Sequence, residues 1–135
     1  TTSPQTHHGS GKILIMDDEE YILDVLSSML KVMGYETALS TNGDEAIELA
    51  SKAKEKNQSF ITAILDLTIP GGRGGKETVY ELIKIDHNIK VIASSGYSED
   101  PVIASPTEYG FAGTLIKPYR QRDLVYVMQT ISSKK

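Results

Sequence analysis

The 135-residue sequence contains no cysteine. Disulfides, thiolate zinc sites and thiol catalysis are therefore excluded. No apolar run approaches the ~20 residues that a membrane span needs. The N-terminal residues carry no secretory signal pattern. There is no strong basic run either, and the net charge is −4. Such a balance argues against direct contact with nucleic acid. From these absences we expect a cytoplasmic domain that contacts neither membrane nor nucleic acid. The length fits one domain, and a hydrophobic content of 39% is enough for an ordinary core.

The chain is organised around residues 61–70, ITAILDLTIP. A short bounded apolar run reads as a strand buried on both faces. This one ends in Asp66, where open α/β sheets place their ligands. Pro70 stops the strand, and Gly71-Gly72-Arg73-Gly74-Gly75 lets the chain turn sharply. Taken alone, Asp66 also fits a turn or helix-capping residue.

Residues 1–11 are polar and read as a flexible linker or tail. His7-His8 fits a plain linker or an expression remnant better than a metal site. Gly9-Ser10-Gly11-Lys12 fails as a phosphate-binding loop, because Thr6 and Ile13 stand where Gly and Ser/Thr belong and the segment precedes its strand. From Lys12 strands and helices alternate. The strands are expected at residues 12–16 (KILIM), 35–39, 61–66, 90–94 (KVIAS) and 113–116. Helical spacing places Ile22, Val25, Leu26, Met29, Leu30 and Met33 inward on the first helix, with Gly34 as its stop. Weaker patterns mark a helix carrying Ala46, Ile47, Ala50 and Ala53, and another over residues 76–85. A short fourth helix is expected within residues 99–109, and a last one carries Leu124, Val127, Met128 and Ile131. Such alternation predicts a doubly wound, three-layer α/β/α fold. Its five-stranded parallel sheet should take the flavodoxin-like order 2-1-3-4-5.

In such a sheet the C-terminal strand ends share one edge. Asp17 and Asp18 follow the first strand, Asp66 ends the third, Ser95 follows the fourth, and Lys117-Pro118 follows the fifth. Each has an ordinary explanation: a helix cap, a turn hydroxyl, a solvated charge. Together they place three carboxylates, one hydroxyl and one ammonium around one pocket. Crowded carboxylates need a positive partner, and hard oxygen ligands suit Mg²⁺. A metal and a lysine around a carboxylate form a phosphoryl site, in which the carboxylate can be the nucleophile. A flavin or dinucleotide phosphate is disfavoured, because the first loop is Met16-Asp17-Asp18-Glu19-Glu20 and would repel it.

These motifs (MDDEE, LDLTIPGGRGG, VIASSGYS and IKPY) resemble, in order and spacing, the receiver domain of two-component response regulators. The resemblance covers residues 12–133. It implies phosphorylation on Asp66 and Mg²⁺ bound by Asp18 directly, by Asp17 through water, by Asp66 and by the Thr68 backbone carbonyl. It further implies that the Ser95 hydroxyl moves to bond the phosphoryl group, that Gly96 leaves room for it, that Lys117 pairs with it and that Pro118 follows in cis. The implied donor is a histidine kinase or a histidine phosphotransfer domain. The wording of the middle motifs is similar to receivers of hybrid sensor histidine kinases. The kinase would then belong to the same polypeptide, with residues 1–11 as the linker. One position departs from the family: the switch aromatic three residues before the lysine is Thr114. Such a domain is a signalling module rather than an enzyme. Two rival readings are a phosphatase with an aspartyl nucleophile, similar to the haloacid dehalogenase family, and a degenerate receiver that only binds protein. The first wants an acid where Thr68 stands and a cap segment; the second would have lost an acid or the lysine.

Overall fold

The computed structural model describes residues 9–132. Thr6, His7-His8, most of the expected tail and Ser133 lie outside the described residues. Five strands, β1 (Lys12–Met16), β2 (Glu36–Ser40), β3 (Thr62–Asp66), β4 (Lys90–Ser95) and β5 (Gly113–Ile116), form one sheet in the order 2-1-3-4-5. All four strand pairings are parallel. The expected doubly wound architecture is therefore observed.

Helices α1 (Glu20–Val32), α2 (Gly43–Glu55), α3 (Gly75–Ile85), α4 (Pro101–Ala104) and α5 (Gln121–Ser132) cover the two faces. Side-chain alternation along the strands sorts the core into two layers. Ile13, Ile15, Ile64, Ile92 and Leu115 pack with residues of α1 and α5. Leu14, Met16, Ala63, Leu65, Val91 and Ala93 pack with residues of α2, α3 and α4. Every residue of β3 is buried, as its unbroken apolar run predicts. The chain leaves β1 toward one face and β3 toward the other. The crevice between these two neighbouring strands opens at their C-terminal ends.

Several boundaries differ from the sequence expectation for physical reasons. Tyr35 is not in β2, because its N–H closes the end of α1 on the Leu30 carbonyl (3.0 Å). Gly34 just before it has φ +99°, the left-handed stop expected there. Ile61 is 41% exposed and precedes β3. On α1, Leu23 and Ser27 are buried where the apolar spacing favoured Ile22 and Val25, which are only partly buried. The buried Ser27 hydroxyl is satisfied by Thr37 Oγ1 at 2.8 Å. The single helix expected over 99–109 is split into α4 and a 3-10 turn at Pro106–Tyr109. Pro106 has no N–H to donate and disfavours helical geometry at Ser105, which sits at φ −140°, ψ 63°. Gly9 and Gly11, assigned by composition to the tail, are tied to the domain. Gly9 N–H donates to the Met33 carbonyl (2.8 Å), and Glu36 N–H donates to the Gly11 carbonyl (2.9 Å).

The start of α2 is fixed by local chemistry. Asn42 Oδ1 accepts from Glu45 N–H at 3.0 Å, and the Glu45 carboxylate reaches back to Thr41 N–H at 2.7 Å. Asn42→Ala should lower stability by about 1 kcal/mol, read as a lower urea midpoint with an unchanged m-value. An unaltered midpoint would show the cap to be dispensable.

Candidate functional site

β1, β3, β4 and β5 bring their C-terminal ends to one rim, and the site is built there. Asp17 is fully buried and Asp66 is 5% exposed. Asp17 is held by its own loop, because Glu19 N–H donates to its Oδ1 at 2.9 Å. Asp66 Oδ1 accepts from Thr68 N–H at 3.2 Å. Lys117 bridges the two acids, with Nζ 2.8 Å from Asp17 Oδ2 and 3.3 Å from Asp66 Oδ2. The Lys117–Pro118 peptide bond is cis, as the resemblance implies. Asp18 is exposed beside them. One carboxylate oxygen from each of Asp17, Asp18 and Asp66 lies within 4.8 Å of the others.

The electrostatics of this cluster are unbalanced. Burial opposes the charge on Lys117, but the carboxylates of Asp17 and Asp66 outweigh it and hold the ammonium well above its usual range. Burial pushes the Asp66 carboxyl up, and the Asp17 charge adds to this against the Thr68 N–H and Lys117. Three carboxylates thus face one ammonium. Asp17 Oδ2 is buried, and the Lys117 ammonium lies 2.8 Å from it. An all-oxygen cluster of three carboxylates balanced by a single ammonium fits a hard divalent cation such as Mg²⁺.

The pocket above the acids has a volume of about 370 Å³ and is lined by Asp18, Asp66, Thr68, Ser95, Tyr97 and Lys117, among others. Ser95 faces it but is bound to its own turn. Its Oγ accepts from Tyr97 N–H (2.9 Å) and donates to the Tyr97 carbonyl (3.3 Å). A Cβ added at Gly96 would meet nothing within 4 Å, so the space beside Ser95 is open. At the β3–α3 turn glycine is required by contact: a Cβ at Gly74 would sit 2.6 Å from the Leu67 carbonyl oxygen. Thr114 lies apart, on β5, lining a separate pocket of about 280 Å³ with Ile116 and Tyr126. The structure thus brings together Asp17, Asp18, Asp66, Thr68, Ser95, Gly96 and Lys117, and leaves Thr114 outside.

Sequence reasoning missed one pair. The Ser94 and Tyr119 hydroxyls are hydrogen-bonded to each other beneath the site, with Ser94 1% and Tyr119 8% exposed. Burial pushes the Tyr119 phenol up to about 12, so it keeps its proton. The available signal was a serine inside an otherwise apolar strand, which needs a buried partner.

A doubly wound parallel sheet with an acid cluster and a lysine at its switch point defines a class of phosphoryl-site domains. Comparison with known proteins narrows this. The model of the response regulator receiver domain family matches residues 13–129, and the chain belongs to that family. Similar proteins include the chemotaxis protein CheY of Thermotoga maritima, 30% identical over 122 residues, covering 90% of this chain and 97% of that protein. Sporulation initiation phosphotransferase F of Bacillus subtilis is 32% identical over 108 residues, covering 80% and 82%. Among solved structures, a CheY-like receiver domain of Methanospirillum hungatei superposes with a TM-score of 0.74 at 26% identity, covering 92% of this chain and 95% of that one. The protein is thus a phosphoacceptor receiver domain of two-component signalling. Among the described residues no helix is long and apolar enough to cross a membrane.

Proposed function

We propose that Asp66 accepts the phosphoryl group and that Mg²⁺ is held by Asp17, Asp18, Asp66 and the Thr68 carbonyl. The observation that carries this reading is Lys117 Nζ standing between Asp17 and Asp66 at the point where three carboxylates converge. When bound, the metal supplies positive charge to the oxygens of the transferring phosphoryl group.

The chain's own residues do the rest. An Asp66 carboxylate oxygen forms the bond to phosphorus while the P–N bond to the donor's histidine breaks, and the imidazole leaves with the electron pair. Lys117 carries a positive charge already within reach of that oxygen. Ser95 can exchange its bonds to Tyr97 for one to a phosphoryl oxygen at small net cost. Gly96 keeps the approach open. The donor is a histidine kinase or a histidine phosphotransfer domain. The likeness of the LDLTIPGGRGG and VIASSGYS motifs to receivers of hybrid kinases supports a kinase portion in the same polypeptide, and a cytoplasmic setting. Thr114 offers no ring to bury, so a readout through an aromatic at that position is not available. The phosphatase alternative lacks support because Thr68 stands where a second acid would be needed.

The test is intact-protein mass spectrometry after incubation with acetyl phosphate. One phosphoryl group should be gained with Mg²⁺ and none with a chelator. No gain in either condition, and none from a histidine kinase with ATP, would leave the degenerate receiver as the better reading.

A further inference from the structure

Phosphorylation at a rim has consequences only if something carries it away from the rim. The Ser94–Tyr119 pair is placed to do this. Ser94 precedes Ser95, and Tyr119 follows Lys117 by two residues, so each hydroxyl flanks a group that faces Asp66. The two segments are joined a second time through the backbone, where Lys117 N–H donates to the Ser95 carbonyl at 2.8 Å. Ser94 also pairs with Asp66 in the β3–β4 register, and its carbonyl accepts from Leu67 N–H at 2.9 Å. On the other side, Tyr119 belongs to the core layer under α1 and α5. Helix α5 begins two residues later, and Gln121 Nε2 reaches the Met29 carbonyl of α1 at 3.3 Å.

We infer that the Ser94–Tyr119 hydroxyl pair couples occupancy of the Asp66 site to the position of α5 and its contact with α1. The inference rests on Asp66 being the phosphoacceptor. The physical reason is burial. Neither hydroxyl can replace its partner with water where it lies, so separating them costs more than separating an exposed pair. A shift of Ser95 or Lys117 toward a phosphoryl group therefore displaces Tyr119 with it. Ser94 and Tyr119 are positioning residues, because neither touches the reacting atoms. The coupling runs on the α1/α5 side of the sheet, and it does not need a ring at position 114.

The experiment is hydrogen exchange of residues 121–132 with and without acetyl phosphate and Mg²⁺, alongside phosphoryl incorporation by mass spectrometry. In the unmodified protein, exchange across α5 should change several-fold on phosphorylation. The double variant Ser94→Ala/Tyr119→Phe removes both hydroxyls and leaves neither orphaned, which keeps the fold cost small. It should incorporate the phosphoryl group to the same extent while the α5 response is lost. Tyr119→Phe alone should give the same loss. Ser94→Thr, which keeps a hydroxyl, and Thr114→Ala should both retain the response. Full incorporation with an unaltered α5 response in the double variant or in Tyr119→Phe would overturn the coupling while leaving the phosphoacceptor intact. An α5 that ignores phosphorylation in the unmodified protein would overturn it too. Failure of the unmodified protein to take a phosphoryl group from acetyl phosphate or from a histidine kinase would remove both readings together.

Discussion

Asp66→Asn should yield a domain that takes no phosphoryl group and yet unfolds at higher urea concentration when no metal is present. The loss follows from chemistry, since a neutral amide is a far poorer nucleophile than a carboxylate. The gain follows from burial. Asp66 is nearly inaccessible, and its carboxyl is pushed up by desolvation, with the Asp17 charge adding to that against Thr68 N–H and Lys117. Asparagine keeps an oxygen to accept the Thr68 N–H and removes one of two facing charges. Lys117 then still has Asp17 at 2.8 Å. The pH dependence has a definite sign. A carboxyl whose folded pKa lies above its unfolded one weakens the fold while ionised, and this penalty is relieved as pH falls through the folded value. The advantage of the variant should therefore be largest near neutral pH and shrink toward the usual carboxylate range, about pH 4. Urea titrations of both proteins with a chelator, at several pH values, measure it. A variant less stable than the parent at neutral pH would mean that Lys117 gains more from Asp66 than burial costs.

Lys117→Met removes the only cation found, among the described residues, between the two buried acids, and the effect should be large in the opposite direction. Breaking a buried ion pair by deleting one partner costs about 3–5 kcal/mol, because the remaining charge stays behind. Lys117 retains 18% side-chain exposure, and Asp66 can relieve the strain by binding a proton, so the lower end applies. For a domain of this size that is a fall in melting temperature of roughly 10 °C. Divalent metal should restore much of it, since a ligand present at a hundred times its dissociation constant contributes about 2.7 kcal/mol. Thermal melts with and without Mg²⁺ separate the two terms. If the metal-free variant melts with the parent, the lysine is not what compensates Asp17 and Asp66. The same variant should accept phosphoryl groups slowly, having lost the charge beside the acceptor oxygen.

Much of this could be read from the chain because the relevant signals are local. An apolar run such as residues 62–65 specifies a buried strand, and the acid that ends it then falls on the rim by geometry alone. The same holds for Asp17, Asp18, Ser95 and Lys117, each at or just after the end of its strand. What could not be read depends on contacts between distant residues. Ser94 and Tyr119 lie 25 positions apart, and nothing in either neighbourhood names the other. The split of α4 was signalled by Pro106, but the choice between a bent helix and a 3-10 turn depends on packing. Gly9 looked like tail because composition does not register that it lies against the Tyr35 ring, where a Cβ would come within 2.0 Å of the ring carbon.

That last contact has a practical consequence for attaching the domain to anything else. The chain crosses Tyr35 at Gly9 and enters β1 from the end opposite Asp17. The five residues of β1 separate the two rims by roughly 17 Å at 3.3 Å per residue. A linkage that leaves the fold at Gly9 therefore departs from the end of the sheet opposite the acidic pocket. An anchor held close to that end stands away from the acceptor, so binding and phosphotransfer can be followed on a surface with the pocket open.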